Sequence, residues 1–344
     1  MHYHFFFTMK NTVLPLAIML CSILLLGCDS QHRNYKKKLD VALEQVPEPV
    51  FNRYEDALFN LDTADFQEGL MKIQQDYLPF LEGDLNNPEA VQYLKDFVLD
   101  TLNRSLYRIT KDQYPDLQTI KGIITAVNQH FHYYYPDTDL PETVYTCVSG
   151  VNPEMDPVMI INGHLVVSLD WYLNGHEVYD WMGMPRYLSE RTSTARLAKD
   201  YAHTLYANYV EKPHKQGNLL EEMICQGKAD FFVEAMAPTM SDQVLLGYTP
   251  EQLDWAESNE GNVWADIIGS QQLYTTEFDA YRIFLSDGPF TNEYSHSAPP
   301  RLGEFLGLHI IRSYMDLNDT HLQTLMQDAD LQGIFLDSGY KPKK

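Results

Sequence analysis

Apolar residues recur at helical spacing through most of this chain, interrupted by one short block of β-branched runs. The helical stripes are Phe66/Leu70/Ile73/Tyr77/Leu81, Leu94/Phe97/Leu99/Leu102 and Leu117/Ile120/Ile124/Val127/Phe131. Pro115 and Pro136 bracket the last stripe and mark its ends. The pattern changes at Pro141. Residues 144–148 and 158–161 are β-branched runs, and Asn162-Gly163 separates the second from the run 164–169. An Asn-Gly pair between two such runs predicts a hairpin with a two-residue turn. From Asp170 to Tyr187 the chain is aromatic and glycine-rich, which predicts a structured loop. Four or five helices follow, including 192–212, 217–237, 250–267 and 299–317. Gly303 and Gly307, four residues apart on the last of these, predict a close helix–helix approach. No internal repeat is present. The pattern as a whole predicts an α+β fold, mostly helical, in one domain over 50–344. A helical cap would occupy 50–140, a small sheet and loop 141–190, and a helical body 191–344.

The first apolar run is of another kind. Residues 13–27 carry no charge and close on Leu25-Leu26-Gly27-Cys28, which looks like a bacterial lipobox. About fifteen residues fall short of the roughly twenty that span a bilayer but suit a signal-peptide core. Lys10 supplies the positive flank, and Met9-Lys10-Asn11 makes a more usual start than Met1. Residues 1–27 are thus expected to be removed and Cys28 to carry the lipid. Residues 28–49, with Lys36-Lys37-Lys38 and ending in Pro47-Glu48-Pro49, read as a polar tether. The expected place is the cell envelope, at the outer membrane or a periplasmic face rather than the inner membrane.

Charge narrows the partners. The chain carries a net charge of -23, and loss of Lys10 with the signal would make it about -24. Such a chain repels nucleic-acid backbones, so no nucleic-acid partner is expected. After Cys28 only Cys147 and Cys225 remain, which an envelope location would allow to pair but which form no framework. Among the 23 tyrosines, Tyr172 and Tyr179 stand with Trp171 and Trp181 as a possible stacking platform for glycan, if those rings are exposed. Arg301 and Arg312 are candidates for pairing with the acidic surplus.

The sharpest chemical pattern lies on the helix expected at 192–212. A peptidase of the His-Glu-x-x-His type sets two histidines one helical turn apart on zinc, with the glutamate as general base and a third ligand from the next helix. Here Lys199 stands at the first histidine, Asp200 at the base, and only His203 is in place. On the following helix Gln226-Gly227-x-Ala229 puts an amide where the third ligand belongs, with Glu222 one turn earlier. An ammonium cannot ligate zinc and repels it, and a neutral amide ligates poorly. The pattern is therefore a degenerate metalloprotease-like site, with no metal and no cofactor expected. A shifted set of His203, Glu222 and Asp200 is the competing, catalytic reading. Amphipathic packing alone would also produce the Lys199/His203 spacing. His176-Glu177-x-x-Asp180 sits in a loop, and His130 and His132 close a helix where they diverge, so neither is expected to ligate.

The order of further motifs carries a family resemblance. Phe51-x-Arg53-Tyr54-Glu55-x-x-Leu58-Phe59-x-x-Asp62 follows the lipobox. Then come Leu169-Asp170-x-Tyr172-Leu173, Glu222-Met223-Ile224-x-Gln226-Gly227-Lys228, Gly247-Tyr248-Thr249, Gly288-Pro289-Phe290 and Arg301-Leu302-Gly303. This resembles the gliding-motility lipoprotein family GldB, itself similar to a predicted zinc-protease family. The resemblance implies a zincin-like helical scaffold on a lipid-anchored envelope protein of the gliding machinery, without established catalysis. Its partners would be the membrane, through Cys28, and envelope or motility-machinery proteins. The alternatives are a metal-dependent peptidase with an unorthodox ligand set, and a surface glycan- or nutrient-binding lipoprotein.

Overall fold

The computed structural model describes residues 34–212 and 215–343, so the lipobox and Cys28 lie outside the described residues. The fold is α+β and mostly helical, as the apolar pattern predicts. A mixed sheet of four strands has the order β1-β2-β4-β3. Its strands are β1 (Val50–Arg53), β2 (Thr143–Cys147), β3 (Val158–Ile161) and β4 (His164–Ser168). The predicted hairpin is there. Asn162 and Gly163 both take positive φ, 51° and 79°, as its two-residue turn requires. β1 was assigned to the helical cap from sequence, and that is corrected. Four residues show no alternation, and their parallel partner β2 lies some ninety residues on.

Six of the helices are α1 (Asn34–Leu39), α2 (Gln118–Tyr134), α3 (Arg196–Leu205), α4 (Leu219–Met236), α5 (Pro250–Gly269) and α6 (Leu302–Leu317), and α3, α4 and α6 carry the residues of the site. Local chemistry sets their starts. Asn218 and Glu221 form a capping box at α4, and Thr249 and Gln252 form one at α5. The stripe 94–102 divides because the Asp100 carboxylate accepts from the Leu102 and Asn103 amides and starts a new helix. The helix expected at 192–212 is regular only to Leu205 and then widens into a π turn, Tyr206–Val210. Within the stretch read as a tether, α1 is docked on the body through the buried Tyr35 and Leu39, while most of 40–49 is exposed.

One hydrophobic core runs from Tyr35 to Ile334. At its centre α4, apolar on nearly every side, crosses α6. The crossing is backbone against backbone: a Cβ on Gly227 would lie 2.3 Å from the Gly307 carbonyl carbon, and one on Gly307 within 1.8 Å of the Met223 carbonyl oxygen. Gly307 thus does what the spacing predicts, while Gly303 packs against the Phe284 carbonyl and the side chains of Leu285 and Met223.

Arg312 ties the same helices together from the side. Its Nε donates to Glu234 at 2.9 Å, and its two Nη atoms to Asp242 at 2.8 and 2.7 Å. Burial raises the Asp242 carboxyl, but the Arg312 guanidinium outweighs it and holds the group below the usual range. A depressed folded-state pKa gives stability that is present above the unfolded value near 3.9 and lost as pH falls through the folded one. Asp242→Asn should therefore cost on the order of 1–3 kcal/mol at pH 7. In urea melts, that difference from wild type should shrink as pH falls below about 4. Cys147 and Cys225 are both free thiols, so the pairing that the envelope would allow is not formed.

Candidate functional site

α3 turns two faces to different surroundings. Leu197, Tyr201, Ala202 and Leu205 are buried in the core. Arg196, Lys199, Asp200, His203 and Thr204 recur at i, i+3, i+4, i+7 and i+8 and line a half-open cleft of about 640 Å³. Gln226 of α4 and Arg301 and Glu304 at the start of α6 line it from below. The opposite wall is β3, the edge strand of the sheet. The structure thus brings Lys199, Asp200, His203 and Gln226 to one cavity.

The chemistry of each is set by its partner. The Lys199 ammonium donates to the Leu245 carbonyl and lies 3.7 Å from Glu304 Oε1. Asp200 accepts from the Tyr172 hydroxyl at 2.8 Å and from Arg196 Nε at 3.2 Å. His203 Nε2 is 3.7 Å from Asp230 Oδ1. Asp230 is fully buried one turn beyond Gln226, and its second oxygen has no hydrogen-bond partner. Burial pushes the Asp230 carboxyl up, but His203 and the Lys199 charge outweigh it and hold the group ionised. Glu304 is pushed up, by burial first and by the neighbouring Asp230 charge second. Asp230 and Glu304 thus sit against Lys199, His203 and Arg301, whose guanidinium donates to Glu304 at 2.8 Å.

These residues do not fit a zinc ion. Lys199 brings a positive charge into the space, Asp200 is engaged by Tyr172 and Arg196, and Gln226 offers an amide. Glu222 is turned toward the start of α4, where it accepts from the Gly217 amide at 2.8 Å, and it does not line the cleft. The shifted set His203, Glu222 and Asp200 is thus not assembled. Among the described residues no group of three His, Cys, Asp or Glu is placed to hold a metal.

Other candidates resolve in place. His176 Nδ1 accepts from the Val178 amide at 3.1 Å, and His130 bonds the Ala126 carbonyl. Tyr172 and Tyr179 are wholly buried and Trp171 is half-buried against the core, which leaves Trp181 as the one exposed ring of the four. The stacking surface expected of a glycan binder is not formed.

Asp230 and Glu304 were missed from sequence. The available signal was an acid inside the apolar run Ala229-Asp230-Phe231-Phe232, which must find a cation when buried.

The β3 wall has its own pattern. Ile161 and His164 flank the two-residue turn and exchange hydrogen bonds, as do Met159 and Val166. The ladder therefore aims the amides and carbonyls of Val158 and Ile160 away from β4, toward α3. Thr204 Oγ1 takes the Val158 carbonyl at 3.0 Å. The Ile160 amide and carbonyl face the cleft as an open edge.

A family model described as gliding motility protein GldB matches residues 36–342. The chain belongs to the GldB family. It is thus of the gliding-motility lipoprotein type, with the envelope association that implies. No curated protein and no solved structure matches this GldB-family chain. Among its described residues no helix is long and apolar enough to cross a membrane.

Proposed function

We propose that this GldB-family protein is a non-catalytic envelope component, lipid-anchored at Cys28, whose cleft binds an extended segment of a protein partner. The observation that carries the reading is the open edge of β3 above a floor lined by Lys199, Asp200 and His203. Peptide backbone added to that edge would find the Ile160 amide and carbonyl already aimed at it. The relation to a zincin-like scaffold is supported by the layout. A helix carries position 199 one turn before His203, and the next helix carries Gln226 and then Asp230. A histidine ligand of zinc usually leans on such a carboxylate, so Asp230 reads as the surviving support of a metal site whose ligands are gone. The partner belongs to an envelope or motility assembly, and the outer membrane or a periplasmic face is the place.

Ile160→Pro tests the edge. Proline is tolerated on an edge strand whose amide faces outward, so the fold should keep its melting temperature. Affinity for unstructured peptides, scored on an immobilised set, should fall by about tenfold, as loss of one backbone hydrogen bond implies. Unchanged binding would remove β3 from the reading.

A further inference from the structure

α1 is pinned to the far end of α6 from the cleft. The Tyr35 amide donates to Asp316 Oδ1 at 2.7 Å, and its ring lies 5.9 Å from that of Phe231 and 5.7 Å from the Arg312 guanidinium. Lys38 Nζ donates to the Met315 carbonyl at 2.9 Å and also to that of Asn318, closing the carbonyl end of α6. Lys36 and Lys37 stay exposed.

We infer that α1 converts the lipid anchor from a long leash into a short mount, and that the face around α1 rests on the bilayer. The inference rests on lipidation of Cys28. Chain length decides the matter. From Cys28 to Val50 a free chain could reach about 75 Å, whereas from Cys28 to Asn34 it reaches about 20 Å at most. Docking of α1 therefore holds this end of the body within about 20 Å of the headgroups.

The surface beside the mount fits a lipid contact. Leu317 and Leu336 are 67% and 74% exposed there, and the two helix ends that carry them are joined by Asn318 Nδ2 donating to the Asp337 carbonyl at 3.0 Å. Asp316, Asp319 and Asp337 offset the lysines, so the contact is apolar in kind and needs no anionic lipid. Glu304 of the cleft lies about 16 Å up the α6 axis from Met315. The mount thus sits at one end of α6 and the peptide-binding cleft at the other.

The test uses lipidated full-length protein in phosphatidylcholine vesicles with acceptor-labelled headgroups, in a Cys225→Ser background. A donor at Leu336→Cys should transfer strongly, and one at Asn208→Cys, beside the cleft, weakly. Tyr35→Ala with Lys38→Ala should erase that contrast while the melting transition persists. Equal transfer from both sites in the otherwise native protein overturns the mount, as does contrast that survives the double variant or appears only with anionic lipid. Mass spectrometry of Cys28 separates the readings, since an unmodified Cys28 overturns the anchor itself, and the mount with it.

Discussion

Gly307→Ala should destabilise the protein by about 3 kcal/mol, whereas Gly122→Ala should stabilise it by about 0.5–1 kcal/mol. Both glycines lie inside helices, where alanine has the better intrinsic propensity. Surroundings reverse the sign. A Cβ at Gly122 meets nothing within 4 Å, while one at Gly307 falls 1.8 Å from the Met223 carbonyl oxygen and 3.3 Å from the Gly227 amide nitrogen. Backbone cannot step aside as a side chain can, so α4 and α6 must part. A loss of this size is a large share of a typical 5–15 kcal/mol total. Urea melts of the two variants measure it. A neutral Gly307→Ala would mean that the crossing is loose, and the placement of Gln226 and Asp230 beside it would lose its physical basis.

The second large effect is a gain. Lys199→His, Asp200→Glu and Gln226→Glu together should give the protein one equivalent of zinc, held by positions 199, 203 and 226. The native residues at these positions line one cavity, and Asp230 already stands beside His203 to orient it. Lys199→His also removes the ammonium that repels the dication. Zinc at about a hundred times its dissociation constant would then stabilise the variant by about 2.7 kcal/mol, read as a shift in melting temperature. Adding His203→Ala should abolish both uptake and shift. Failure of the triple variant to take up zinc would reduce the Lys199/His203 spacing to ordinary amphipathic packing.

Elements whose chemistry is local were legible in the sequence. Asn162-Gly163 marks the hairpin because Asn and Gly take the positive φ of such a turn with little strain, and Pro115 and Pro136 bound α2 because each bars a continuing helix. The cleft face of α3 was legible for the same reason, since Lys199, Asp200 and His203 share a face by spacing alone. What was not legible depends on contacts between distant segments. β1 is a strand only because β2 lies alongside it, and α1 is docked only because Asp316 and the carbonyls of Met315 and Asn318 receive it. Glu222 shares a stripe with Gln226, yet it sits on the first turn of α4, where the Gly217 amide claims it beyond the end of the cleft. The buried pair Asp230 and Glu304 needed the crossing of α4 and α6 to bring the acids together.

The central claim is that the cleft binds chain and does not cut it. The most direct measurement incubates the soluble Cys28→Ser protein with zinc, determines bound metal after gel filtration, and follows binding and cleavage of unstructured peptides. The account predicts no stoichiometric zinc, intact peptide, and binding that Ile160→Pro weakens. One equivalent of zinc, with peptide hydrolysis that His203→Ala abolishes, would contradict it.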